Sequence, residues 1–181
     1  MRQQHFVTGN YRARATRINN AEYGRVLNSV VVACVDCGLL CNGRMLLGQR
    51  VREPQADWWI IGGRMRPGES FETAARRKYR EELRLNLTPS RFRYLTTASL
   101  VWAKRAQPPQ NRGCHTVSVV MLATITLREM ASLHLNDEYR ALRWQPLARV
   151  AADRKLHPAM RLYAREVVAT LKKRTATARL S

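Results

Sequence analysis

Residues 62–85, GGRMRPGESFETAARRKYREELRL, constrain the fold more than any other segment of the chain. Two glycines and the Pro67-Gly68 pair predict tight turns, and Ser70 is a favourable N-cap residue for a helix. Apolar residues then recur every four positions, which is typical of a helix that buries one face; they are Phe71, Ala75, Tyr79 and Leu83. We therefore predict a loop, a helix over about residues 70–85 and a second loop.

Three acidic residues of this segment allow two interpretations. Glu81 and Glu82 are adjacent near the end of the predicted helix, about 100° apart around its axis, and Glu69 lies in the loop before it. Converging carboxylates can hold a hard cation such as Mg²⁺ or Mn²⁺. Alternatively, ion pairs with Arg77 and Lys78 make a solvated helix face, where each pair contributes only ~0.2 to 0.5 kcal/mol. The helix taken alone leaves both interpretations open.

The rest of the chain predicts a mixed α/β fold. Val-rich residues 29–40, the turn residues Asn42-Gly43 and residues 44–50 predict a β-hairpin. Further strands are predicted at residues 57–61, 94–103, 115–127 and 143–144, and helices at residues 20–28 and 158–172. Because strands both precede and follow the central helix, an α/β sandwich with a mixed sheet fits better than an all-parallel sheet.

Length and charge set the class of protein. The chain has 181 residues, of which 45% are hydrophobic, which is enough for one domain. We predict a flexible basic arm at residues 1–18, the domain at residues 19–172 and a basic tail at residues 173–181. The 32 Lys and Arg residues outnumber the 13 Asp and Glu residues and give a net charge of +19. A surface this cationic attracts nucleotides, nucleic acid or anionic lipid, and charge alone does not choose among them.

The apolar residues and the cysteines limit the alternatives further. No run approaches the roughly 20 apolar residues of a membrane-spanning helix, and the N-terminus lacks the apolar stretch of a secretory signal. We therefore expect a soluble, cytoplasmic protein without a membrane partner. Cys34, Cys37 and Cys41 are close enough for a zinc site, but no second CxxC pair accompanies them. We expect these residues and Cys114 to be buried free thiols.

Residues 62–85 also resemble the signature of the Nudix hydrolases, which is a Gly, five residues, a Glu, seven residues, then Arg-Glu-apolar-x-Glu-Glu-x-Gly-apolar. The residues that match in register are Gly63, Glu69, Arg77, Tyr79, Glu81, Glu82 and Leu85. The preceding hairpin and the Trp-containing strand ending in Gly-Gly are also similar, so the resemblance covers about residues 29–146. It implies a Nudix-type α/β/α sandwich with a mixed sheet and a loop-helix-loop metal site. It also implies a hydrolase of a nucleoside diphosphate derivative that depends on Mg²⁺ or Mn²⁺.

Two positions depart from that signature. Lys78 replaces its first Glu, and Arg84 replaces its Gly. In pyrophosphatase members of the family that Glu is often a metal ligand or a general base, so their mechanism does not carry over intact. A cation there repels a metal cluster and can bind a phosphate. The departure implies fewer metal ions and makes Lys78 a candidate substrate ligand.

The GDP-mannose mannosyl hydrolases are the subgroup that the chain resembles more closely. Their signature also lacks that Glu and also reads Gly-Gly-Arg, as residues 62–64 do here. The Leu-His-Pro tail at residues 156–158, followed by Arg161 and Tyr163, is similar as well. In that subgroup water attacks the sugar carbon, and the products are the sugar and a nucleoside diphosphate. The expected substrate is a nucleoside diphosphate sugar resembling GDP-mannose, and a nucleotide pyrophosphatase is the alternative enzyme.

The resemblance assigns roles to individual residues. Glu82 becomes the principal metal ligand, facing solvent and helped by a backbone carbonyl at Gly62. Glu69 and Glu81 complete the metal site, while Arg50 and Arg64 contact the diphosphate.

The general base is left unassigned. The subgroup places a metal ligand and a histidine base in the loop before the last strand, where this chain has Asn136-Asp137-Glu138-Tyr139. Glu138 is a candidate ligand or base, whereas a tyrosine such as Tyr139, with a pKa of about 10, is a poor base. His115 and His134 are weaker candidates, since a lone His is more often structural. The catalytic candidates are therefore Arg77, Glu81 and Glu138.

A second hypothesis is an RNA-binding or ribosome-associated protein of the same fold with little or no catalysis. Basic residues near both termini support it because Lys and Arg release counterions from phosphate backbones; they are Arg12, Arg14, Arg17, Lys172, Lys173 and Arg174. Retention of the Glu and Arg residues of the signature argues against it, and no aromatic-interleaved RNA motif is visible. The partners considered are thus the nucleotide substrate, nucleic acid bound through the basic termini, and a second copy of the chain in a homodimer.

Overall fold

The computed structural model describes residues 4–14 and 18–178. Five helices lie within these residues: α1 (Asn20–Leu27), α2 (Phe71–Leu83), α3 (Leu127–Ala131), α4 (Leu147–Ala152) and α5 (Pro158–Ala178). The strands of the same residues are β1 (Val32–Cys41), β2 (Arg44–Arg50), β3 (Trp58–Trp59), β4 (Ile61–Arg64), β5 (Arg93–Trp102), β6 (Cys114–Thr124) and β7 (Tyr139–Pro146). Short 3₁₀ turns occur at Pro89–Arg91 and Gln110–Arg112.

One mixed sheet joins these strands. β1 and β6 are parallel, from Val32 opposite Thr116 to Leu40 opposite Thr124, and β5 continues the sheet antiparallel to β6. β1 pairs with β2 only next to their turn and with β4 along its earlier part, so it changes partner along its length. β2 pairs with β7 on one side and β3 on the other. The segment expected to form the site begins in β4, beside the point where β1 changes its partner from β4 to β2.

Helices cover both faces of the sheet, because successive strand residues point to opposite faces. On one face, alternate β1 residues such as Val35 and Leu39 pack in a core with the apolar stripe of α2. On the other face, Leu40 packs in a second core with α4 and α5. The predicted α/β/α sandwich with a mixed sheet is therefore confirmed.

Helix α1 packs beside the sheet ahead of β1. Asn19 and Glu22 form a reciprocal capping box that begins the helix. Gly24 lies against the loop between β5 and β6, where an added Cβ would come within 2.0 Å of the Pro108 carbonyl oxygen. The absence of a side chain at Gly24 thus lets α1 approach that loop.

Several predicted boundaries are wrong. β7 runs from Tyr139 to Pro146 rather than over residues 143–144 alone, because it pairs along nearly the whole of β2. The predicted strand at residues 115–127 ends at Thr124, since Thr126 and Glu129 form a capping box that begins α3. Helix α5 continues past the predicted end at Lys172 to Ala178, where alanines favour helix.

The terminal segments and the cysteines can be compared with expectation only in part. Residues 4–14 contain neither helix nor strand and are exposed. Residues 1–3 and 15–17 of the predicted arm, including Arg17, and residues 179–181 of the tail lie outside the described residues, as does the side chain of Arg174. The four cysteines are free thiols; Cys37 and Cys41 are buried, whereas Cys34 and Cys114 are only half-buried.

None of the helices in the described part of the chain combines the length and apolarity needed to cross a membrane.

Candidate active site

Helix α2 carries the expected site residues and is fixed at both ends. The Ser70 hydroxyl accepts the Thr73 backbone N–H at 3.2 Å, which caps the first turn. The helix ends at Arg84, whose φ of 53° lies in the left-handed region that favours Gly. The buried Tyr79 hydroxyl donates to the Cys37 carbonyl at 2.9 Å and holds α2 on β1.

Arg77 binds two of the expected metal ligands itself. Its guanidinium donates to Glu69 through Nη2 at 2.8 Å, to Glu81 through Nη1 at 3.0 Å and to the Arg64 carbonyl at 3.1 Å. Arg66 donates to the other oxygen of Glu81 at 3.1 Å. Burial opposes the charge of Glu69, but hydrogen bonds from Arg77 and the Arg66 backbone lower the pKa of Glu69 overall. Both carboxylates are therefore already paired with arginines.

Glu82 lies apart from that cluster, at the inner side of α2. Its side chain is 1% exposed, so the expectation that it faces solvent is wrong. One oxygen accepts the Tyr139 hydroxyl at 2.6 Å, and the other forms an ion pair with the Lys78 ammonium, one helical turn earlier. Burial raises the pKa of Glu82, although Lys78 and Tyr139 oppose this. The three acidic residues expected to converge thus form two separate pairings.

Asp36 is a buried acid next to the site that the sequence interpretation missed. It lies on β1 opposite Gly62, where an added Cβ would come within 2.2 Å of Asp36 Oδ1, and its Oδ2 accepts the Ser118 hydroxyl at 2.5 Å. Burial raises the pKa of Asp36, while the Ser118 hydrogen bond and the nearby charge of Arg50 oppose the rise. The signal available in the sequence was a lone Asp within a Val-rich strand.

Aromatic residues border Asp36 on the α5 side. The Trp59 ring meets the rings of His157 and Tyr163 edge-on, with centroids 5.3 and 6.3 Å away. The Tyr163 hydroxyl is buried and has no hydrogen-bond partner among the described residues. Burial, followed by the Asp36 charge, raises the pKa of Tyr163.

The two arginines expected at the diphosphate have different surroundings. Arg50, at the end of β2, is half-buried, and its charge acts on both Asp36 and Tyr139. Arg64 is exposed, and its guanidinium carbon lies 4.3 Å from the centre of the Tyr23 ring of α1. Arg50 therefore lies within the group of buried charges, whereas Arg64 lies at its rim beside α1.

The loop before β7 brings one of the three candidate bases to the site. The Asn136 backbone N–H donates to the Glu82 carbonyl at 3.2 Å, which holds the loop on the end of α2. Glu138 follows, half-buried, and its charge contributes to the raised pKa of Glu82. His115 instead pairs with Ser99 on β5 at 2.8 Å, and the exposed His134 ring contacts the Ser132 carbonyl. Of these three side chains, Glu138 is the one whose charge acts on Glu82.

Comparison with known proteins identifies similar sequences and structures. A sequence model of the NUDIX domain matches residues 31–169. No curated protein matches the chain by sequence. A MutT NUDIX hydrolase from Burkholderia pseudomallei is 25% identical, with a TM-score of 0.59 over 77% of this chain and 99% of that one.

Two further solved structures are similar over only about half of their own length. A MutT/nudix family protein from Enterococcus faecalis is 23% identical, with a TM-score of 0.52 over 70% of this chain and 51% of that one. A bifunctional NMN adenylyltransferase/ADP ribose pyrophosphatase from Francisella tularensis, complexed with AMP and a Mn ion, is 19% identical, with a TM-score of 0.53 over 86% of this chain and 46% of that one. At these identities the likeness shows the fold.

Proposed function

The chain belongs to the NUDIX family, and we propose that it hydrolyses a nucleoside diphosphate sugar related to GDP-mannose, releasing the sugar and a nucleoside diphosphate. The observation that supports this most is the buried Asp36 carboxylate, which lies opposite Gly62 of the Nudix segment and is influenced by the charge of Arg50. A sugar nucleotide presents hydroxyl groups and a diphosphate side by side. An acid and a cation in adjoining positions match that pair of groups.

The metal implied by the family does not fit the residues of this chain. Nudix hydrolases generally use divalent ions such as Mg²⁺ or Mn²⁺, and Gly62, Glu69, Glu81 and Glu82 were expected to hold one here. Within the described residues, no group of three or more His, Cys, Asp or Glu side chains is arranged to hold a metal ion. Glu69 and Glu81 are paired with arginines, and Glu82 is paired with Lys78. No catalytic step is therefore assigned to a metal.

Side chains of this chain bind the substrate and carry out the proposed reaction. Asp36 accepts a hydrogen bond from a sugar hydroxyl, and Arg50 and Arg64 bind the diphosphate with paired donors. Glu138 takes the proton of a water molecule whose oxygen attacks sugar carbon C1. The bond from C1 to the phosphate oxygen breaks, its electron pair stays on that oxygen, and the cations stabilise the developing charge.

Product analysis in ¹⁸O-labelled water tests this reaction. The protein is incubated with a panel of nucleoside diphosphate sugars and nucleotides, once with EDTA and once with Mg²⁺ or Mn²⁺, and sugar, phosphate and pyrophosphate are measured separately. We expect label in the free sugar. Label in a phosphate would instead establish attack at phosphorus, the chemistry of a nucleotide pyrophosphatase.

Asp36→Asn tests the residue that supports the proposal. Asn keeps the shape and can still accept from Ser118, but it removes the charge. We expect kcat/KM to fall roughly 10- to 150-fold with circular dichroism unchanged, since a hydrogen bond to a charged group contributes about 1.5 to 3 kcal/mol. Asp137→Asn, at a side chain that is 87% exposed, is the matched control and should keep parental turnover.

RNA binding is the second candidate function, and the net charge of +19 favours it. Arg12, Arg14 and Lys172 are exposed and available to a phosphate backbone. Fluorescence anisotropy with single-stranded RNA across a salt series tests it. Tight, strongly salt-dependent binding together with no turnover of any nucleotide would replace the hydrolase proposal by this one.

A further inference from the structure

We propose that the Lys78 ammonium is the built-in counter-cation of Glu82 and excludes a divalent metal ion from this carboxylate. Lys78 stands where the Nudix signature has a Glu, so one substitution both removes an expected carboxylate and adds a positive charge. This inference concerns cation binding and does not depend on the proposed reaction.

The local geometry provides a place for the ammonium. Lys78 and Glu82 are one turn apart on α2, and their side chains are 12% and 1% exposed. Gly63 lies on β4 above them with φ of 148°, and an added Cβ there would come within 3.3 Å of both Cε and Nζ of Lys78. The bare Gly63 backbone therefore leaves the space that the lysine head occupies.

Both oxygens of Glu82 are engaged by the chain itself. Tyr139 donates to one oxygen and Lys78 pairs with the other. A divalent ion bound there would have to displace one of these groups, and it would lie next to a fixed positive charge in a region with little water to screen it.

Two further carboxylates of the segment, Glu69 and Glu81, are balanced in the same way. Glu69 is paired with Arg77, and Glu81 is paired with both Arg77 and Arg66. Three carboxylates thus face three cations when Lys78 and Glu82 are included. The charges of these three carboxylates are balanced without a metal ion, so a bound metal would add uncompensated positive charge to the cluster.

Titration with Mn²⁺ alone, followed by electron paramagnetic resonance and calorimetry on the full chain, tests the proposal without any substrate. We expect no saturable Mn²⁺ binding to the parent protein below about 1 mM. Lys78→Glu should create a site at least about tenfold tighter, because it replaces a repulsive charge by a ligand. Lys78→Met only removes the charge and should give a smaller increase in Mn²⁺ affinity. It also serves as the test variant if Lys78→Glu does not fold.

Two variants locate any new site. Arg80→Glu makes the same charge change on the exposed side of α2 and should leave Mn²⁺ binding at the parent level. Adding Glu82→Gln to Lys78→Glu should abolish the increase in Mn²⁺ affinity. Saturable Mn²⁺ binding by the parent protein that Glu82→Gln removes would overturn the proposal, as would folded Lys78 variants whose Mn²⁺ affinity equals that of the parent.

Discussion

Replacing Glu82 by Gln is expected to lower the free energy of unfolding by about 3 kcal/mol, the lower end of the cost of breaking a buried ion pair. Gln keeps the shape of the side chain and an oxygen that can accept from Tyr139, so the change removes mainly the charge. The Lys78 ammonium, 12% exposed, is then left without its counter-charge. For a domain of this size such a loss lowers the melting temperature by roughly 6 to 12 °C.

Urea denaturation followed by circular dichroism measures this loss, and a second substitution assigns its cause. Adding Lys78→Met removes the orphaned cation, so the double variant should regain roughly 2 kcal/mol relative to Glu82→Gln alone. Glu81→Gln, on the same helix but at a side chain that is 35% exposed, should cost less than about 1 kcal/mol. The reasoning would be refuted by a Glu82→Gln protein as stable as the parent, or by a double variant no more stable than the single one.

Three further expectations concern stability and substrate affinity. Arg84→Gly should stabilise the protein by about 0.5 to 1 kcal/mol in urea, because φ of 53° strains any residue with a Cβ; equal or lower stability would contradict this. The Arg91 hydrogen bond lowers the pKa of Glu129 from 4.5 to about 2. The ionised Glu129 side chain therefore contributes its full stabilisation of the fold above pH 4.5, and this stabilisation is lost as the pH falls towards 2. Glu129→Gln should therefore flatten the decline in melting temperature over that pH range, and an unchanged slope would argue against it. Tyr23→Ala should raise KM but not kcat by releasing Arg64, whereas Tyr23→Phe keeps the ring and the parental KM; identical KM values for the two variants would exclude this positioning role.

The sequence determined the elements whose signals are local. The cap at Ser70 and the apolar spacing predicted α2 nearly to its ends, and the Asn42-Gly43 turn predicted the hairpin of β1 and β2. These signals act within one helical turn or across one tight turn, so neighbouring residues suffice to specify them. The order of the predicted strands and helices, together with the family resemblance, then predicted the sandwich.

Hydrogen bonds between residues far apart in the chain could not be predicted from the sequence. Tyr139 reaches Glu82 across 57 positions of the chain, and Ser118 reaches Asp36 across 82. The full length of β7 was likewise missed, because its extent depends on β2 rather than on its own residues.

Local residue patterns and the family resemblance were enough to predict a Nudix sandwich with a charged helix after a glycine-rich loop, and to identify the acids and cations of that segment. The pairing of those charges depends on the folded arrangement: Arg77 pairs with Glu69 and Glu81, while Lys78 pairs with a buried Glu82. Helical periodicity places side chains around an axis, but it does not say which of them the sheet and the β7 loop cover. Burial removes the water that would screen a charge, and so the fold decides whether a carboxylate is free for a metal ion or paired with a neighbouring cation.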